Sequence, residues 1–357
     1  MSRDSTNEDM SMKAAVLFEA NKLDVIHVDA PKAAQGELVM RVKSAAICGT
    51  DSRIITGRKT KGVRFPSVIG HEFAGEVVEV GQDVTRFSIS DRIAVDPVIP
   101  CRSCLYCRSG KENVCQHRQA IGYEFDGAFA EYVKIPAIAL EAGNVFKLPD
   151  SVSYDAAALA EPLACCINGQ KNVGIHLGDV VVILGAGPIG LMHVALAKLS
   201  GASKIIVSDL NENRRSVALQ CGASQAVDAS QQDLKAIVMS ETAGLGADVA
   251  IMAIGLPALV NPSLELLRKG GRANLFAGFS KEDTADVDVN LIHYNELVIT
   301  GASALSREGY EKALGLISSG QINVEALITH RFSLSEINEA LRYAQKGDAV
   351  KVIIHND

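Results

Sequence analysis

The chain contains no tryptophan, and its aromatic fraction is only 5%. Its core must therefore be built from aliphatic side chains. Ten prolines in 357 residues exclude a collagen-like or polyproline architecture. Cations are in the minority, with Lys plus Arg at 35 against 42 for Asp plus Glu, a formal charge of −7. That sign disfavours binding to nucleic acid through its phosphates. Repeats and low-complexity tracts are absent. The first eleven residues are polar and lack the apolar centre of a signal peptide, so residues 1–11 read as a disordered tail. The longest apolar stretch, residues 180–197, approaches the length of a membrane span. It is interrupted by Gly185, Gly187, Pro188 and Gly190, which suits a buried strand, a tight turn and a helix. The expectation is a soluble, cytoplasmic protein with no membrane partner.

What is present is an ordinary globular composition, 48% hydrophobic and 22% charged, with 30 glycines. At roughly 150 residues per domain, the length suggests two domains. Between Lys13 and Leu148 the pattern is β-rich, as at residues 37–43 and 76–80. From about Ser153 to Gly301, short apolar runs alternate with helical segments. Strands are expected at 180–184, 204–209, 247–252 and 273–276, and helices at 189–200, 213–221 and 262–267. That alternation predicts a parallel sheet covered by helices on both faces. The remainder predicts helices over 308–319 and 334–345 and a last strand at 350–354.

Four of the eight cysteines form the run Cys101-x2-Cys104-x2-Cys107-x7-Cys115. Short spacings of this kind let four thiolates converge from one loop on a tetrahedral ion, and zinc is the metal that closes such sites. A disulfide cluster needs an oxidising compartment that nothing here marks. An iron–sulfur run would place its fourth cysteine nearer and follow it with proline. A structural zinc is the reading.

A second constellation is more dispersed: Cys48-Gly49-Thr50-Asp51, then Gly70-His71-Glu72, then Glu161-Pro162. Singly, each is weak, since a lone Cys is more often a small buried hydrophobe. Together they offer one sulfur, one nitrogen and one or two carboxylate oxygens, the donor set of an open zinc site with room for a substrate.

Gly185-Ala186-Gly187-Pro188-Ile189-Gly190 fits G-x-G-x-x-G, and here a β-branched apolar run precedes it and a helical stretch follows. A second strand ends in Asp209, at the roughly 20-residue spacing where an acidic side chain bonds the ribose 2′-hydroxyl of a dinucleotide. A carboxylate there repels a 2′-phosphate, so NAD is favoured over NADP. Arg214 lies close enough in sequence to pack over adenine, or it is simply solvated.

These motifs, in this order, resemble the zinc-containing medium-chain alcohol dehydrogenase family. Its signature G-H-E-x2-G-x5-G-x2-V is met at Gly70, His71, Glu72, Gly75, Gly81 and Val84. The resemblance covers nearly all the chain after Met12. It implies an α/β architecture: a GroES-like β-rich catalytic domain, residues 12–160 and 302–357, with a Rossmann doubly wound NAD-binding domain, 161–301, inserted between them. It implies two zinc ions per subunit, one catalytic and one structural, and a homodimer or homotetramer. Cys48 and His71 match the catalytic ligands, and Thr50 matches the hydroxyl that relays the alcohol proton. Glu161 stands where the sorbitol and polyol branch has a third ligand, and Glu72 is the adjoining carboxylate; the sequence leaves open which of the two is the steady ligand. Glu161-Pro162-Leu163 and Thr329-His330-Arg331-Phe332 are most similar to the sorbitol and threonine dehydrogenase branch.

Two positions depart from the family pattern. Where many relatives carry a relay histidine, three residues beyond the threonine, this chain has Arg53, whose guanidinium cannot accept a proton. Where sorbitol enzymes carry an Arg-Tyr pair, it has Ala304-Leu305. Arg53 could meet a phosphate or carboxylate on the substrate, or pair with a carboxylate of the protein. The expected activity is oxidation of a secondary alcohol on a small polyol or sugar derivative, with hydride passing to NAD. A polyol phosphate or L-threonine is the alternative substrate, and a non-catalytic NAD- and zinc-binding protein the rival class.

Overall fold

The structure, a computed structural model, describes residues 11–280, 282–347 and 349–356. The chain divides into two compact units: Met1–Glu161 with Ile328–Asp357, and Pro162–Leu327. Residues 1–10 of the expected tail lie outside the described residues. Ser11, expected in that tail, already opens the first strand, Ser11–Glu19, which pairs with Lys22–Asp29 in a hairpin.

In the first unit the strand Leu38–Ala46 is the organising element. Its residues Leu38, Met40, Val42 and Ala45 are buried in an aliphatic core with Phe73, Ile93 and Phe129. On one side it pairs antiparallel with Glu72–Val80, and Ala46 faces Glu72 across the ladder. On the other it pairs antiparallel with Lys351–His355, near the end of the chain. The parallel strand Ile328–Ser333 extends the sheet beyond Lys351–His355. Because Leu38–Ala46 runs directly into Cys48, this register brings residues 48, 71–72 and 351 to the same end of three neighbouring strands. Asp155, in the helix Tyr154–Ala158, clasps the same sheet. Its carboxylate is hydrogen-bonded to Ser44 at 2.9 Å, Arg331 at 2.8 Å and His355 at 2.7 Å.

The second unit is a six-stranded parallel sheet. Numbered in chain order, its strands are Val180–Leu184, Lys204–Ser208, Gln225–Val227, Ala247–Met252, Leu267–Leu275 and Val298–Gly301, and they lie in the order 3-2-1-4-5-6. That is the doubly wound Rossmann order. The central strands are nearly continuous apolar runs, as sheets covered on both faces require: Val181, Val182, Ile183, Ile205, Ile206, Val207 and Val249 to Ile251 are buried. The long apolar run resolves into strand Val180–Leu184 and helix Pro188–Leu199. No helix among the described residues is long and apolar enough to cross a membrane.

Three expectations need correction. The strand placed at 273–276 begins at Leu267, and the helix before it is Val260–Glu265, not 262–267. The strand runs through Gly270 and Gly271 with a register shift against its neighbour. The return to the first unit falls at Ile328 rather than 302. Residues 301–308 are tied instead to the helix Ala160–Val173: Asn172 donates to the Gly301 carbonyl at 2.9 Å, Asn168 to that of Ala304 at 3.0 Å, and Lys171 pairs with Glu308 at 3.5 Å.

Candidate functional site

Cys48 is the N-cap of the short helix Gly49–Ile55, and its sulfur accepts from the Thr50 N–H at 3.5 Å. His71 follows Gly70, whose φ of +99° is a left-handed conformation that L side chains rarely adopt; a Cβ there would also press on the Phe129 ring. That turn aims His71 inward immediately before Glu72 starts its strand. A ligand atom from each of Cys48, His71 and Glu72 lies within 4.8 Å of the others. Sulfur, imidazole nitrogen and carboxylate oxygen within one such sphere are the donors that a catalytic zinc takes, so the residues fit that ion. Glu161 is buried in the first turn of the helix Ala160–Val173, and its charge acts on Tyr123 and Lys351. It stands outside the mutually close trio.

Three residues around the trio were not singled out by sequence. Asp51 is fully buried; it accepts from the Cys48 N–H at 2.8 Å and lies 3.3 Å from His71 Nδ1, so it orients both residues. Burial opposes the charged form of His71, yet Tyr123, Asp51 and the hydrogen bonds to Asp51 and Cys48 hold its pKa well above the histidine range. A metal binding there must displace that proton. Tyr123 has its ring 5.6 Å from that of His71, and burial raises its phenol well above the usual value. Lys351 is ion-paired with Glu72 and donates to the Ile47 carbonyl at 3.0 Å; both charged residues are buried. Burial disfavours the Lys351 charge, but Glu72, Cys48 and Glu161 hold its pKa above the lysine range. The adjoining Asp51 of the Cys48 motif was a visible signal. Tyr123 and Lys351 carried none, because both are distant in sequence: strand pairing brings Lys351 near, and Tyr123 comes from the turn after the short strand Gln119–Ala120.

Arg53 donates from Nη2 to Thr50 Oγ1 at 2.9 Å. No carboxylate of the described residues lies within ion-pairing distance of it, so pairing with a protein carboxylate is not what the structure contains.

The four-cysteine lobe is compact. The sulfurs of Cys104 and Cys107 are 3.5 Å apart, those of Cys104 and Cys115 3.9 Å, and those of Cys101 and Cys107 4.0 Å. A disulfide needs about 2.05 Å. Four sulfurs on a tetrahedron around zinc, each about 2.3 Å from the ion, are separated by about 3.8 Å. Backbone N–H groups of Cys101 and His117 donate to Cys115, and that of Cys104 to Cys101. Hydrogen bonds from Ser103 and Cys104 lower Cys101 to about 5, while burial and the adjoining thiols push Cys107 up to about 12. Four sulfurs this close ionise together only around a cation, and the lobe fits zinc.

In the second unit the glycine loop joins the first strand to the helix Pro188–Leu199, with Gly187 as N-cap and Pro188 at the first turn. A Cβ on Gly190 would run into the Gly185 carbonyl, so the helix can pack this closely on the strand only with glycine there. A Cβ on Gly187 would meet nothing within 4 Å, which leaves the helix N-terminus open to an approaching pyrophosphate. Ile189 is half-buried in the same first turn. Asp209 accepts from the Ala186 N–H at 2.7 Å and the Asn211 N–H at 2.8 Å, so its carboxylate is held against the loop. Arg214, half-buried, follows in the helix Glu212–Cys221.

Such a pair of units has the makings of a zinc-dependent oxidoreductase, and comparison with known proteins agrees. Residues 34–150 match the alcohol dehydrogenase GroES-like domain, and residues 188–319 match the zinc-binding dehydrogenase domain. The chain is 36% identical to an L-threonine 3-dehydrogenase of Bacillus licheniformis over 92% of this chain and 93% of that one. Among solved structures, a zinc-binding dehydrogenase of Sinorhizobium meliloti bound to NADP superposes with a TM-score of 0.91 at 32% identity, covering 97% and 99% of the two chains. An alcohol dehydrogenase of Escherichia coli complexed with NADH superposes at 0.88 and 31%, with the same coverage. The chain belongs to the zinc-containing medium-chain alcohol dehydrogenase family.

Proposed function

We propose that this protein oxidises a secondary alcohol on a small polyol or sugar derivative, with NAD as hydride acceptor and a zinc held by Cys48, His71 and a carboxylate. The observation that carries this reading is the trio of Cys48, His71 and Glu72 donor atoms, with the Thr50 hydroxyl two residues from the cysteine. Bound zinc would supply a Lewis acid that stabilises an alkoxide, and bound NAD would take up the hydride. Lys351 holds Glu72 in place through their buried ion pair, and Glu161 offers a second carboxylate nearby. The Arg53 guanidinium occupies a lone pair of Thr50 Oγ1, which leaves the hydroxyl hydrogen free to point at the substrate oxygen.

Asp209 supports NAD, since its carboxylate stands where a 2′-phosphate would be repelled. Arg214 would pack against adenine, and the four-cysteine lobe would hold the second, structural zinc. None of the eight cysteines is in a disulfide, which suits a reducing cytoplasm. A homodimer or homotetramer completes the reading, and light scattering would tell them apart.

L-threonine is the second reading, supported by relatives of that name at 33–36% identity. Zinc-loaded protein should reduce NAD with at least one member of a panel of sugar alcohols, their phosphates, L-threonine and simple secondary alcohols, and do so better than NADP. Cys48→Ala should lose the catalytic zinc and the turnover together; full activity in that variant would refute the assignment.

A further inference from the structure

Between Asp51 and Glu72 the chain carries Arg53, Arg58, Lys59, Lys61 and Arg64 with no acidic residue among them, in a protein whose net charge is −7. Arg64 is neutralised by Asp126 at 2.8 Å, and Arg58 donates to Thr56 at 3.1 Å. Arg53 and Lys59 are placed differently. After the helix Gly49–Ile55 the loop turns back, so that the Lys59 N–H donates to the Arg53 carbonyl at 2.9 Å. Arg53 contacts the Thr50 hydroxyl at 2.9 Å. The Lys59 ammonium sits 5.1 Å from the centre of the Tyr123 ring, and that ring is 5.6 Å from His71. Two cations thus flank the Cys48–His71 centre, one through Thr50 and one through Tyr123.

Neither cation is neutralised. Among the described residues no carboxylate comes within 4.0 Å of Arg53 or Lys59. Lys59 is half-buried; burial, then the Arg118 and Arg53 guanidiniums, lower its pKa, while Glu124 acts in the opposite sense. Like charges crowded into a partly desolvated place cost free energy, and an anion seated there relieves it.

We infer that Arg53 and Lys59 form an anion subsite that holds a carboxylate or phosphate group carried by the alcohol substrate. This rests on the reading of Cys48 and His71 as the reaction centre. It narrows the substrate from any secondary alcohol to a hydroxy acid, a hydroxyl-bearing amino acid or a polyol phosphate. The guanidinium fork suits either anion, and the ammonium adds a point charge.

The test is NAD reduction by the zinc-loaded protein on matched pairs, 3-hydroxybutyrate against butan-2-ol and sorbitol 6-phosphate against sorbitol, with L-threonine alongside. The anionic member of at least one pair should have the higher kcat/KM by about tenfold or more, the worth of a charge-assisted hydrogen bond. Which pair shows the preference tells carboxylate from phosphate. Lys59→Gln should bring that ratio close to one, chiefly through KM, and Lys59→Arg should restore it. Independently of turnover, calorimetry should detect inorganic phosphate binding to the wild-type holoprotein and a loss of about tenfold or more in Lys59→Gln. Oxidation of neutral alcohols with no preference for their anionic partners would overturn the subsite and leave the proposed reaction standing. Silence toward every alcohol would overturn the reaction. The calorimetry then decides the subsite: phosphate binding that Lys59→Gln abolishes upholds it, and binding that is absent or indifferent to the variant overturns it.

Discussion

Lys351 is 3% exposed and Glu72 1%, so their ion pair is fully removed from water. Replacing Lys351 with Met strands a carboxylate in the interior and leaves the Ile47 carbonyl without its 3.0 Å donor. Breaking a buried pair from one side costs about 3–5 kcal/mol, because the remaining charge is uncompensated. Two charges about 4 Å apart at an effective dielectric constant near 20 interact by about 4 kcal/mol, which agrees. Glu72→Gln should cost a similar amount, since the Lys351 ammonium is then buried against weaker partners. The double variant removes both charges and should lose less than the sum by about 2–3 kcal/mol. Urea unfolding followed by circular dichroism on chelator-treated protein measures the cycle. Zinc adds a cation to the same group of carboxylates, so the cost of Lys351→Met should shrink in zinc-loaded protein. Strictly additive single costs, or a loss below about 1 kcal/mol for Lys351→Met, would refute the buried pair as an energetic unit.

Two further outcomes follow from the geometry. Cys104→Ser opens one corner of the four-sulfur lobe, and metal analysis should find about one zinc per chain where the wild type has about two. His193 lies fully buried in the helix Pro188–Leu199, and burial lowers its pKa to about 3. Its folded pKa is below its unfolded value near 6.5, so the unfolded chain binds the proton first and stability falls as the pH drops from about 6.5 toward 3. Between pH 7 and 5 this group alone should cost about 2 kcal/mol, and His193→Gln should flatten the slope by that amount in denaturation curves at the two pH values.

Much of the architecture is legible in the sequence because it is written in local spacing. The strands Val180–Leu184 and Ala247–Met252 fall where the apolar runs predicted them, and the helix Pro188–Leu199 begins one residue before its expected start. Runs of that kind are decided by near-neighbour periodicity. Strand Leu267–Leu275 starts six residues before the expected 273 because pairing with Ala247–Met252 sustains it through Gly270 and Gly271, where local apolar patterning lapses. The domain boundary was misplaced for a related reason. Helix Arg307–Ser318 could pack in either unit, and Asn168, Asn172 and Lys171, more than 120 residues earlier in the chain, hold its approach.

The sequence alone determined the two metal-ligand sets as candidates and the glycine loop with its Asp209, since thiolates three residues apart and a G-x-G-x-x-G turn need only a short piece of chain to act. It also offered Arg53 without saying what Arg53 touches. The tertiary structure decided that Cys48, His71 and Glu72 share one small sphere that does not include Glu161, that Asp51 orients two of them, and that Lys351 neutralises Glu72. It decided too that Lys59 comes to Tyr123 with no carboxylate of the described residues in ion-pairing distance, Glu124 acting on it only from farther away. The meeting of Cys48, Glu72 and Lys351 depends on the register of Leu38–Ala46 with the strands on either side of it. Register is set by the summed burial of whole strand faces, a non-local quantity that no short window of sequence contains.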